Sequence, residues 1–376
     1  MLSRKPPMGF NTWNTFGPDI SADVIKETAD AMVEKGLVDA GYDYLVIDDC
    51  WSERERDEKT DKIIPDHEKF PLGMKDVSDY VHAKGLKFGM YSCAGTRTCA
   101  DFPGSFDHEF LDAQTFADYG ADYLKYDFCY RPETANGPLL YRRMGLALKA
   151  CGREILFSAC NWGSDDVHSW IRSTGAHMYR STGDIYDSFE SFKNIITGQE
   201  NKFGTSAPGC FNDIDMLTVG MYGKGLVGST GCGDAEYRSQ FSLWCMFSAP
   251  LMLGCDIRTL SPEMLALITN KNLLRINQDE EARPPIESHT GWEGESRVYF
   301  KHLSNNEFAL GFYNFTDRQI DIPTNLTNFG LSASSGFALS LTDAMTDEPF
   351  GTFAEYIRVP VGPHDCRVFL CKLAAR

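Results

Sequence analysis

A unit of helix, glycine and strand recurs along the first half of the chain, and it limits the fold more than any other feature. In each copy a helical stretch closes on a glycine and a run of apolar residues follows at once. Glycine supplies the left-handed cap of a helix, and a strand without polar alternation is typical of burial on both faces of a parallel sheet. The copies are "DAGYDYLVIDDCW", "HAKGLKFGMYSC", "DYGADYLKYDFC", "KACGREILFSAC" and "RSTGAHMYRSTGD", with Gly41, Gly85, Gly120, Gly152 and Gly175 as the closing glycines.

Three further segments bring the number of predicted strands to eight. A doubly wound open sheet would show the same alternation, but no glycine-rich phosphate loop follows the first strand. Eight strands within roughly 285 residues match the size of a (β/α)8 barrel. We therefore predict an α/β fold in which residues 1–285 form a TIM barrel. The added strands are "MGFNTWN", "GCFNDIDML" and "APLMLGCD", with the helix "EYRSQFSLWCMFS" between the last two.

The sequence pattern changes in residues 286–376. Short strand-like runs alternate there with polar turns, as in "EFALGFYNF" and "YIRVPVGPHDCRVFLCKL". This pattern is typical of an antiparallel β-sandwich, which we predict as a smaller carboxy-terminal domain. Nothing in this region suggests a catalytic group.

The charge balance narrows the range of partners. Lysine and arginine number 36 against 53 acidic residues, so the net charge is −17. A phosphate backbone or an anionic membrane surface would be repelled, and no apolar run reaches transmembrane length. We expect neither nucleic acid nor a membrane as a partner, and the oligomeric state, including a homo-oligomer, stays open.

The amino terminus, "MLSRKPPMGF", has no apolar segment of the kind found in signal peptides. This favours a cytoplasmic location for the chain as written, although a trimmed secreted chain would look the same.

Twelve cysteines are present without a C-x-x-C pair, so we expect no structural zinc. Many of them lie in apolar runs, where cysteine acts as a small buried hydrophobe.

The stretch "ADYLKYDFCY" places a lysine and an aspartate inside a buried strand. Lys125 and Asp127 are two positions apart, so both side chains lie on the same face. A positive charge nearby lowers the pKa of a carboxyl against the desolvation that raises it, so we expect Asp127 to stay ionised. Asp127 is therefore a candidate nucleophile. The alternative is a structural ion pair inside the barrel.

Several carboxylates fall at predicted strand ends. Asp48 and Asp127 hold equivalent places in "DYLVIDDC" and "DYLKYDFC", and barrel enzymes collect their active residues at that end of the strands. An acidic cluster of this kind suits metal binding, acid–base catalysis or the binding of a polyhydroxylated ligand. We place in the same position of other strands Tyr91, Cys160, Asp184 and Asp215.

Aromatic residues near the strand ends favour the sugar-binding alternative. A single one of them is more often a core residue, but five beside five aspartates predict a sugar pocket. In "YRSTGDIYDSF", Asp187 is expected to cap the next helix, which leaves Asp184 for chemistry. The aromatic residues are Phe10, Trp13, Trp51, Tyr91 and Trp162, and the aspartates are Asp48, Asp49, Asp127, Asp184 and Asp215.

Together these motifs resemble glycoside hydrolase family 27 of clan D, the retaining α-galactosidases and α-N-acetylgalactosaminidases, and they are most like the α-galactosidases. The matching segments follow the family's order over nearly the whole barrel. They are "PPMGFNTWNTFG", "YLVIDDCW", "KFPLGMKDVSDYVHAKGLKFGMYSCAG", "TCADFPGSFDHEFLDAQTFADYGADYLKYDFC", "FNDIDML", "LWCMFSAPLMLGCDIR" and "NQD".

The resemblance implies hydrolysis of terminal α-linked D-galactose by double displacement. Asp127 would attack the anomeric carbon and Asp184 would protonate the leaving oxygen, with the two carboxyl groups about 5 to 5.5 Å apart. No metal or organic cofactor is implied. Substrate binding would fall to Trp13, Asp48, Asp49, Trp51, Tyr91, Lys125, Cys160, Trp162, Arg180 and Met216.

Within that set, the resemblance assigns each residue to a particular part of the sugar or of the pocket. Asp48 and Asp49 would bind the 4- and 6-hydroxyls, Trp13 would pack on the apolar patch, and Arg180 would reach the 2-position. Lys125 would keep the surroundings of Asp127 positive and bind a hydroxyl. Tyr91 would line the pocket, and Met216 would close its floor.

The chain departs from the family pattern at Phe10, where tryptophan is common, and at Asn161, where glutamate is common. Asn161 lies in the loop that reads the 2-substituent. Cys160 and Trp162 resemble the plant and microbial galactosidases, which have a bulky wall there, so galactose is favoured over N-acetylgalactosamine. β-L-Arabinopyranose is a further alternative, against which the Asp48–Asp49 pair counts.

The resemblance also pairs Cys99 with Cys129 in a disulfide beside the nucleophile, although a reducing compartment would keep both as thiols.

Two other function classes stay open. One is a metal-dependent barrel enzyme with Asp48, Asp127 and Asp215 as oxygen ligands, against which Lys125 counts. The other is a sugar-binding barrel without catalysis, against which the presence of both Asp127 and Asp184 counts.

Overall fold

The computed structural model describes residues 2–199, 202–291 and 294–376. Eight parallel strands pair in the order β7-β6-β5-β4-β3-β2-β1-β8, and a bridge between Leu217 and Leu253 links the chain after β7 to β8. The predicted (β/α)8 barrel is confirmed. Its strands are β1 (Met8–Asn11), β2 (Tyr44–Val46), β3 (Lys87–Cys93), β4 (Tyr123–Asp127), β5 (Leu156–Cys160), β6 (Met178–Arg180), β7 (Phe211–Asp213) and β8 (Leu251–Leu253).

Helices surround this barrel, and local sequence signals set their ends. Ser21 caps α2 by accepting a hydrogen bond from Val24 N, and Asn136 caps α5 by accepting one from Leu139 N. Gly120 ends α4 at φ 86°, a left-handed conformation that favours glycine. The helices are α1 (Trp13–Phe16), α2 (Ala22–Glu34), α3 (Met74–Ala83), α4 (Glu109–Tyr119), α5 (Gly137–Ala150), α6 (Phe189–Thr197), α7 (Asp234–Met246), α8 (Pro262–Ile268) and α9 (Lys271–Asn277).

The inside of the barrel is packed with large side chains. Because parallel strands are covered by helices on the outside, their inward residues must fill the centre themselves. This packing closes the barrel below the strand ends, so space for a ligand is left at the carboxyl end. The inner cluster contains Tyr44, Val46, Tyr123, Leu156, Met178, Met216 and Met252.

The carboxy-terminal part is antiparallel, as predicted. A six-stranded sheet in the order β14-β13-β16-β11-β10-β9 faces the two-stranded sheet β12–β15, and apolar side chains fill the space between them. The β-sandwich is thereby confirmed, while the boundary between residues 285 and 286 stays a prediction. The strands are β9 (Ile286–Thr290), β10 (Ser296–Leu303), β11 (Glu307–Asn314), β12 (Ile320–Asn325), β13 (Phe337–Asp343), β14 (Pro349–Phe353), β15 (Tyr356–Val361) and β16 (Cys366–Ala375).

The two parts meet along α7. Arg238 on this helix donates to both carboxylate oxygens of Asp365, at 3.1 and 2.7 Å. Lys301 of β10 is fully buried and donates to Ser248 Oγ at 2.5 Å and to the carbonyl oxygen of Cys245 at 3.3 Å. Polar groups thus fix the sandwich against the barrel, on the side formed by α7.

The cysteines follow the prediction of burial. Cys99 and Cys129 form a disulfide with 5.3 Å between their Cα atoms, and the other ten are buried thiols. No helix within the described ranges combines the length and the apolar character that crossing a bilayer requires.

Candidate active site

A cavity of about 220 Å³ opens among the loops at the carboxyl ends of the strands. Pockets for drug-sized ligands typically measure roughly 300–1,000 Å³, so this smaller one suits a single monosaccharide unit. Of the residues predicted from sequence, those that line it are Trp13, Lys125, Cys160, Arg180, Asp184, Asp215 and Met216.

Asp127 is the last residue of β4 and is 6% exposed. Its Oδ2 accepts a hydrogen bond from the Tyr91 hydroxyl at 2.8 Å, and Oδ1 has no partner among the described residues. Burial raises the pKa of Asp127 to about 6, although the positive charge of Lys125 acts to lower it. A carboxyl with this pKa is mostly ionised at pH 7, as expected from the sequence, although burial raises the pKa more than the charge of Lys125 lowers it.

Lys125 forms its ion pair with Asp48. Its Nζ donates to Asp48 Oδ2 at 2.8 Å, and the same oxygen accepts from Asn11 Nδ2 at 2.7 Å. Burial acts to lower the pKa of Lys125. The negative charges of Asp127 and Asp48 raise this pKa by more than burial lowers it, so it lies well above its usual value. The lysine therefore supplies a fixed positive charge between two carboxylates.

Asp49 turns away from this pair and fixes a loop. Its Oδ1 accepts from Cys50 N at 2.8 Å and its Oδ2 from Ala100 N at 3.0 Å. The side chain is buried, and desolvation raises its pKa despite these hydrogen bonds. Asp49 thus ties the chain after β2 to the loop that follows β3.

Asp184 lies in the loop between β6 and α6, and its side chain is 66% exposed. Its Oδ1 accepts from Arg180 Nη2 at 2.7 Å, and the same guanidinium nitrogen lies 2.6 Å from Asp215 Oδ2. Arg180 Nη1 also contacts Cys160 Sγ at 3.9 Å, and the Cys160 thiol lies close enough to Asp127 to lower its pKa. A continuous set of contacts therefore joins the buried Asp127 to the exposed Asp184.

The strand register corrects part of the prediction. Cys93 pairs with Asp127, and Cys160 pairs with Arg180. Arg180 in turn pairs with Asp213. The ends of β6 and β7 are therefore Arg180 and Asp213, and the predicted placement of Asp184 and Asp215 at the strand ends is wrong. Both lie farther along in loops. Tyr91 is also displaced, because it pairs with Lys125, two residues before the end of β3.

The five aromatic residues take different positions. Trp13 is half-buried and lines the cavity, whereas Phe10 is in the core. Trp51 is 3% exposed, lies outside the cavity lining and donates from its indole N–H to the Tyr91 carbonyl oxygen at 2.9 Å. Trp162, with φ 54°, packs against the core and is also outside that lining. Trp13 is therefore the aromatic face that this group offers to a ligand.

Asp213 is a cavity residue that the sequence analysis did not single out. Its Oδ1 accepts from Asp215 N at 3.0 Å, and burial raises its pKa to about 6. The signal was present in "FNDIDML", where two aspartates alternate at the end of a buried run. Other cavity residues that the sequence analysis did not single out include Asn11, Tyr123, Ser158, Tyr186 and Met252.

Asp215 has a left-handed backbone, with φ 90°. Its Oδ2 accepts from Ile185 N at 2.6 Å, its Oδ1 accepts from Met216 N at 2.6 Å, and its carbonyl oxygen accepts from Trp244 Nε1 at 2.7 Å. Such strained residues persist where their surroundings determine the conformation, often at functional sites. The strained turn places Met216, which also belongs to the cluster inside the barrel, in the cavity lining.

The predicted helix cap at Asp187 is wrong. Ser188 caps α6 by accepting from Ser191 N, whereas Asp187 is fully buried and accepts from Gly223 N at 2.7 Å and from the Tyr237 hydroxyl at 3.0 Å. A serine hydroxyl at the cap position satisfies the same backbone donor. Asp187 instead holds the loop after β7 against the loop that carries Asp184.

The Cys99–Cys129 disulfide lies beside the nucleophile candidate. Cys129 follows Asp127 by two residues, and Cys99 Sγ is 3.5 Å from Asp127 Oδ2. The bond therefore joins the loop after β3 to the loop after β4 at the edge of the site.

Two of the three carboxylates predicted for a metal site are already paired with protein cations. Asp48 is paired with Lys125 and Asp215 with Arg180, so a further cation would be repelled. Among the described residues, the group with metal-ligand spacing is Glu53, Asp66 and His67, which lies away from the cavity lining. The metal-dependent alternative is not favoured.

Comparison with known proteins gives a consistent result. The sequence profile of the family described as Alpha galactosidase A matches residues 5–279. The chain is 39% identical over 374 residues to an alpha-galactosidase of Oryza sativa subsp. japonica, covering 98% of this chain and 85% of the relative. It is 40% identical over 333 residues to alpha-galactosidase A of Cellvibrio japonicus, covering 85% of this chain and 78% of that one.

Among solved structures, the crystal structure of alpha-galactosidase I from Mortierella vinacea superposes with a TM-score of 0.91 at 31% identity. The match covers 98% of this chain and 97% of that one. On these similarities, with a barrel and a sandwich arranged as described, the chain belongs to the alpha-galactosidase A family, glycoside hydrolase family 27.

Proposed function

We propose that the protein is a retaining exo-α-galactosidase, a carbohydrate-active enzyme that removes terminal α-linked D-galactose. The observation that carries the proposal is a pair of carboxyl groups at the carboxyl end of the barrel, Asp184 in the cavity lining and Asp127 connected to it through Cys160 and Arg180. Asp127 is buried with an unpartnered oxygen, and Asp184 is exposed to solvent across Cys160 and Arg180. A retaining glycosidase needs one carboxylate as the nucleophile and a second carboxyl group as acid and then base.

Asp127 attacks the anomeric carbon with its free Oδ1 while Asp184 protonates the departing oxygen. The glycosyl-aspartate ester then reacts with water, which loses its proton to Asp184, so the configuration at the anomeric carbon is retained. Tyr91 holds Asp127 Oδ2 and orients the attacking oxygen. The chain's own side chains supply every group in these steps.

Recognition of galactose uses the polar groups beside the nucleophile. Lys125, Asp48 and Asn11 form a hydrogen-bonded set with donors and an acceptor for sugar hydroxyls, and Trp13 offers a face for the apolar patch. Asp49 positions the adjoining loop through Ala100 N. Met216 lines the cavity and also packs in the cluster inside the barrel, which supports its assignment to the floor of the pocket.

The 2-position favours a hydroxyl over an N-acetyl group. Cys160 lines the cavity and contacts Arg180, so the space for a 2-substituent is bounded there. Asn161 is fully buried and donates from Nδ2 to Ser164 O at 2.7 Å, which holds it in the turn after β5 and outside the cavity lining. Family members commonly carry glutamate at this position. Asparagine here therefore changes the contacts that support the cavity wall near the 2-position. Trp162 follows in the same turn.

We propose that the protein works in an oxidising compartment, because a disulfide such as Cys99–Cys129 persists where thiols are not kept reduced. Recovery of both cysteines as free thiols from the native host would contradict this placement.

The test is a set of initial rates on three p-nitrophenyl glycosides: α-D-galactopyranoside, α-N-acetyl-D-galactosaminide and β-L-arabinopyranoside. We expect the first to be preferred, with the same rate after exhaustive chelation by EDTA. Proton NMR of the first-formed sugar should show the α-anomer. A first-formed β-anomer, or no turnover of the galactoside, would overturn the proposal.

A further inference from the structure

A second pocket lies at the opposite end of β5 and β6 from the active-site cavity. Its volume is about 450 Å³, and none of the described residues lines both spaces. Phe157 near the start of β5 and His177 directly before β6 belong to this pocket, whereas Cys160 and Arg180 at the other ends line the cavity. The amino end of barrel strands serves stability rather than catalysis, so a ligand bound here is not a substrate.

Part of the pocket lining is apolar. Leu148, Ile155 and Phe157 line it and are buried, and Leu146 adds an apolar side chain that is 55% exposed. Ligand pockets typically measure roughly 300–1,000 Å³ and combine apolar walls with a few placed polar groups. The space therefore suits an organic molecule with an apolar body.

Cationic side chains adjoin this apolar surface. Arg142 and Lys149 are exposed on α5 and line the pocket, and neither forms an ion pair with a carboxylate of the described residues. Arg142 Nη2 donates to Ser173 Oγ at 3.0 Å, which uses only part of the donor capacity of a guanidinium group. The adjacent Arg143, by contrast, contacts two carboxylates. In a chain with a net charge of −17, two such cations beside an apolar surface favour an anionic ligand.

The charges of the lining favour a ligand with a single negative charge. Arg153 also lines the pocket, but it is paired with Asp122 at 2.5 Å. Glu154 is exposed in the same lining and offsets one of the two cations that lack a carboxylate partner. The remaining excess of about one positive charge matches a carboxylate better than a phosphate ester, which carries nearly two negative charges.

His177 supplies a neutral donor. Its Nδ1 accepts a hydrogen bond from Phe157 N at 3.0 Å, so the proton of the neutral ring is on Nε2. Burial lowers the pKa of His177, which keeps the ring neutral at pH 7. Within the described part of the chain Nε2 has no hydrogen-bond acceptor, so this N–H can donate to a carboxylate oxygen in the pocket.

We propose that this pocket binds a small organic monocarboxylate, with its apolar body against Leu146, Ile155 and Phe157 and its carboxylate between Arg142 and Lys149. The ligand class is an ionised aryl or alkyl carboxylic acid. Such a ligand binds the folded state and not the unfolded chain, so it raises the melting temperature. The inference does not depend on the proposed α-galactosidase activity.

Thermal unfolding of the unmodified protein with four compounds tests the charge and the apolar body separately. 2-Naphthoate has both, acetate has the carboxylate alone, 2-naphthalenemethanol has the rings alone, and inorganic phosphate has a larger charge without rings. We expect millimolar 2-naphthoate to raise the melting temperature by several degrees and the other three to change it by less than about one degree. No rise with 2-naphthoate, or an equal rise with any of the other three, would overturn the proposal.

A matched pair of variants on α5 locates the binding. Leu146 lines the pocket, whereas Leu139 is 51% exposed on the same helix outside that lining. Leu146→Glu should weaken 2-naphthoate binding about tenfold or more in isothermal titration, because it places a like charge beside the ligand. Leu139→Glu should leave the dissociation constant within about twofold of wild type. Equal dissociation constants in the two variants would overturn the proposal.

The last comparison removes the cations. Arg142→Gln and Lys149→Gln keep unbranched side chains that favour a helix, so the double variant should fold with a melting temperature near that of wild type. We expect it to bind 2-naphthoate about tenfold or more weakly, since it lacks the charge-assisted hydrogen bonds. Wild-type affinity in this folded variant would show that the two cations do not hold the carboxylate, and the proposal would be wrong.

Discussion

Asp127 combines burial with an unpartnered oxygen, and both properties serve a nucleophile. A carboxylate whose oxygens were fully hydrogen-bonded would have less electron density to donate. Here one oxygen is held by Tyr91, the other is left unpartnered, and Lys125 is paired with Asp48 instead. The cost is a carboxyl that is harder to ionise, which has consequences for rate and for stability.

The first consequence concerns the pH dependence of the reaction. The nucleophile acts only as a carboxylate, and burial raises its pKa to about 6. We therefore expect kcat/KM on p-nitrophenyl α-galactoside to fall tenfold per pH unit below about pH 6, because this parameter reports the free enzyme. An acid limb at about pH 4 would contradict the effect of burial. Melting temperatures over the same range control for unfolding.

The second consequence concerns folding. A raised pKa means that the folded state binds the proton more tightly than the unfolded chain, so stability falls as pH rises through the window from 3.8 to about 6. Above this window the penalty is on the order of 3 kcal/mol, at about 1.4 kcal/mol per pKa unit. Asp127→Asn should therefore melt at a higher temperature than wild type at pH 7 and lose hydrolysis.

The comparison at low pH separates this effect from packing. At pH 4 the wild-type carboxyl is protonated in the folded state, so the two proteins should have nearly equal melting temperatures. A stability gain that is the same at pH 4 and pH 7 would contradict the ionisation account, as would full activity in the variant.

At the scale of elements, the strands and helices of the barrel could be predicted because their signals are local. Closing glycines, caps and unbroken apolar runs identify each one, and Asp127 could be found because it ends such a run. Loop geometry could not be predicted in the same way. The contacts of Arg180 with Asp184 and Asp215 join residues of two loops, and the burial of Trp51 depends on a helix that follows much later.

Asp187 and Ser188 are adjacent at the start of α6, and each has a different role. Ser188 caps the helix, and its replacement by alanine typically costs about 0.5–2 kcal/mol of stability. Asp187 holds the loop behind Asp184 through Gly223 N and Tyr237. We expect Ser188→Ala to lower the melting temperature with kcat nearly unchanged, and Asp187→Ala to lower kcat as well.

Stopped-flow or steady-state assays at a temperature well below both melting points check this distinction. The Ser188→Ala protein is the control for helix fraying. If Asp187→Ala kept the wild-type kcat, the loop contact would be structural without a link to Asp184.

At the scale of the whole molecule, one buried lysine lies where barrel and sandwich meet. Lys301 has no exposed surface, and burial lowers its pKa to about 7. The groups facing it are Ser248 Oγ and the Cys245 carbonyl oxygen, which accept its hydrogen bonds, and the charges of Asp279 and Arg275 act on it with opposite signs. Among residues 2–199, 202–291 and 294–376, no carboxylate bonds directly to this ammonium group.

The sign of the resulting pH dependence is opposite to that of Asp127. The folded state binds the lysine proton less tightly than the unfolded chain, so stability rises with pH through the window from about 7 to 10.5. In wild type, the melting temperature should therefore rise between pH 7 and pH 9 by more than the other titrating groups alone would give. Lys301→Met should remove this rise, because methionine fills a similar volume without a charge.

The measurement is the melting temperature of both proteins from pH 6 to pH 9.5. We expect Lys301→Met to be stabilised relative to wild type most strongly at the acid end, and the advantage to shrink as the wild-type lysine loses its proton. Lys372→Met is the control, since Lys372 is an exposed lysine of the same sheet. A constant difference across the range would mean that Lys301 keeps its proton in the folded state throughout, which would contradict the lowered pKa.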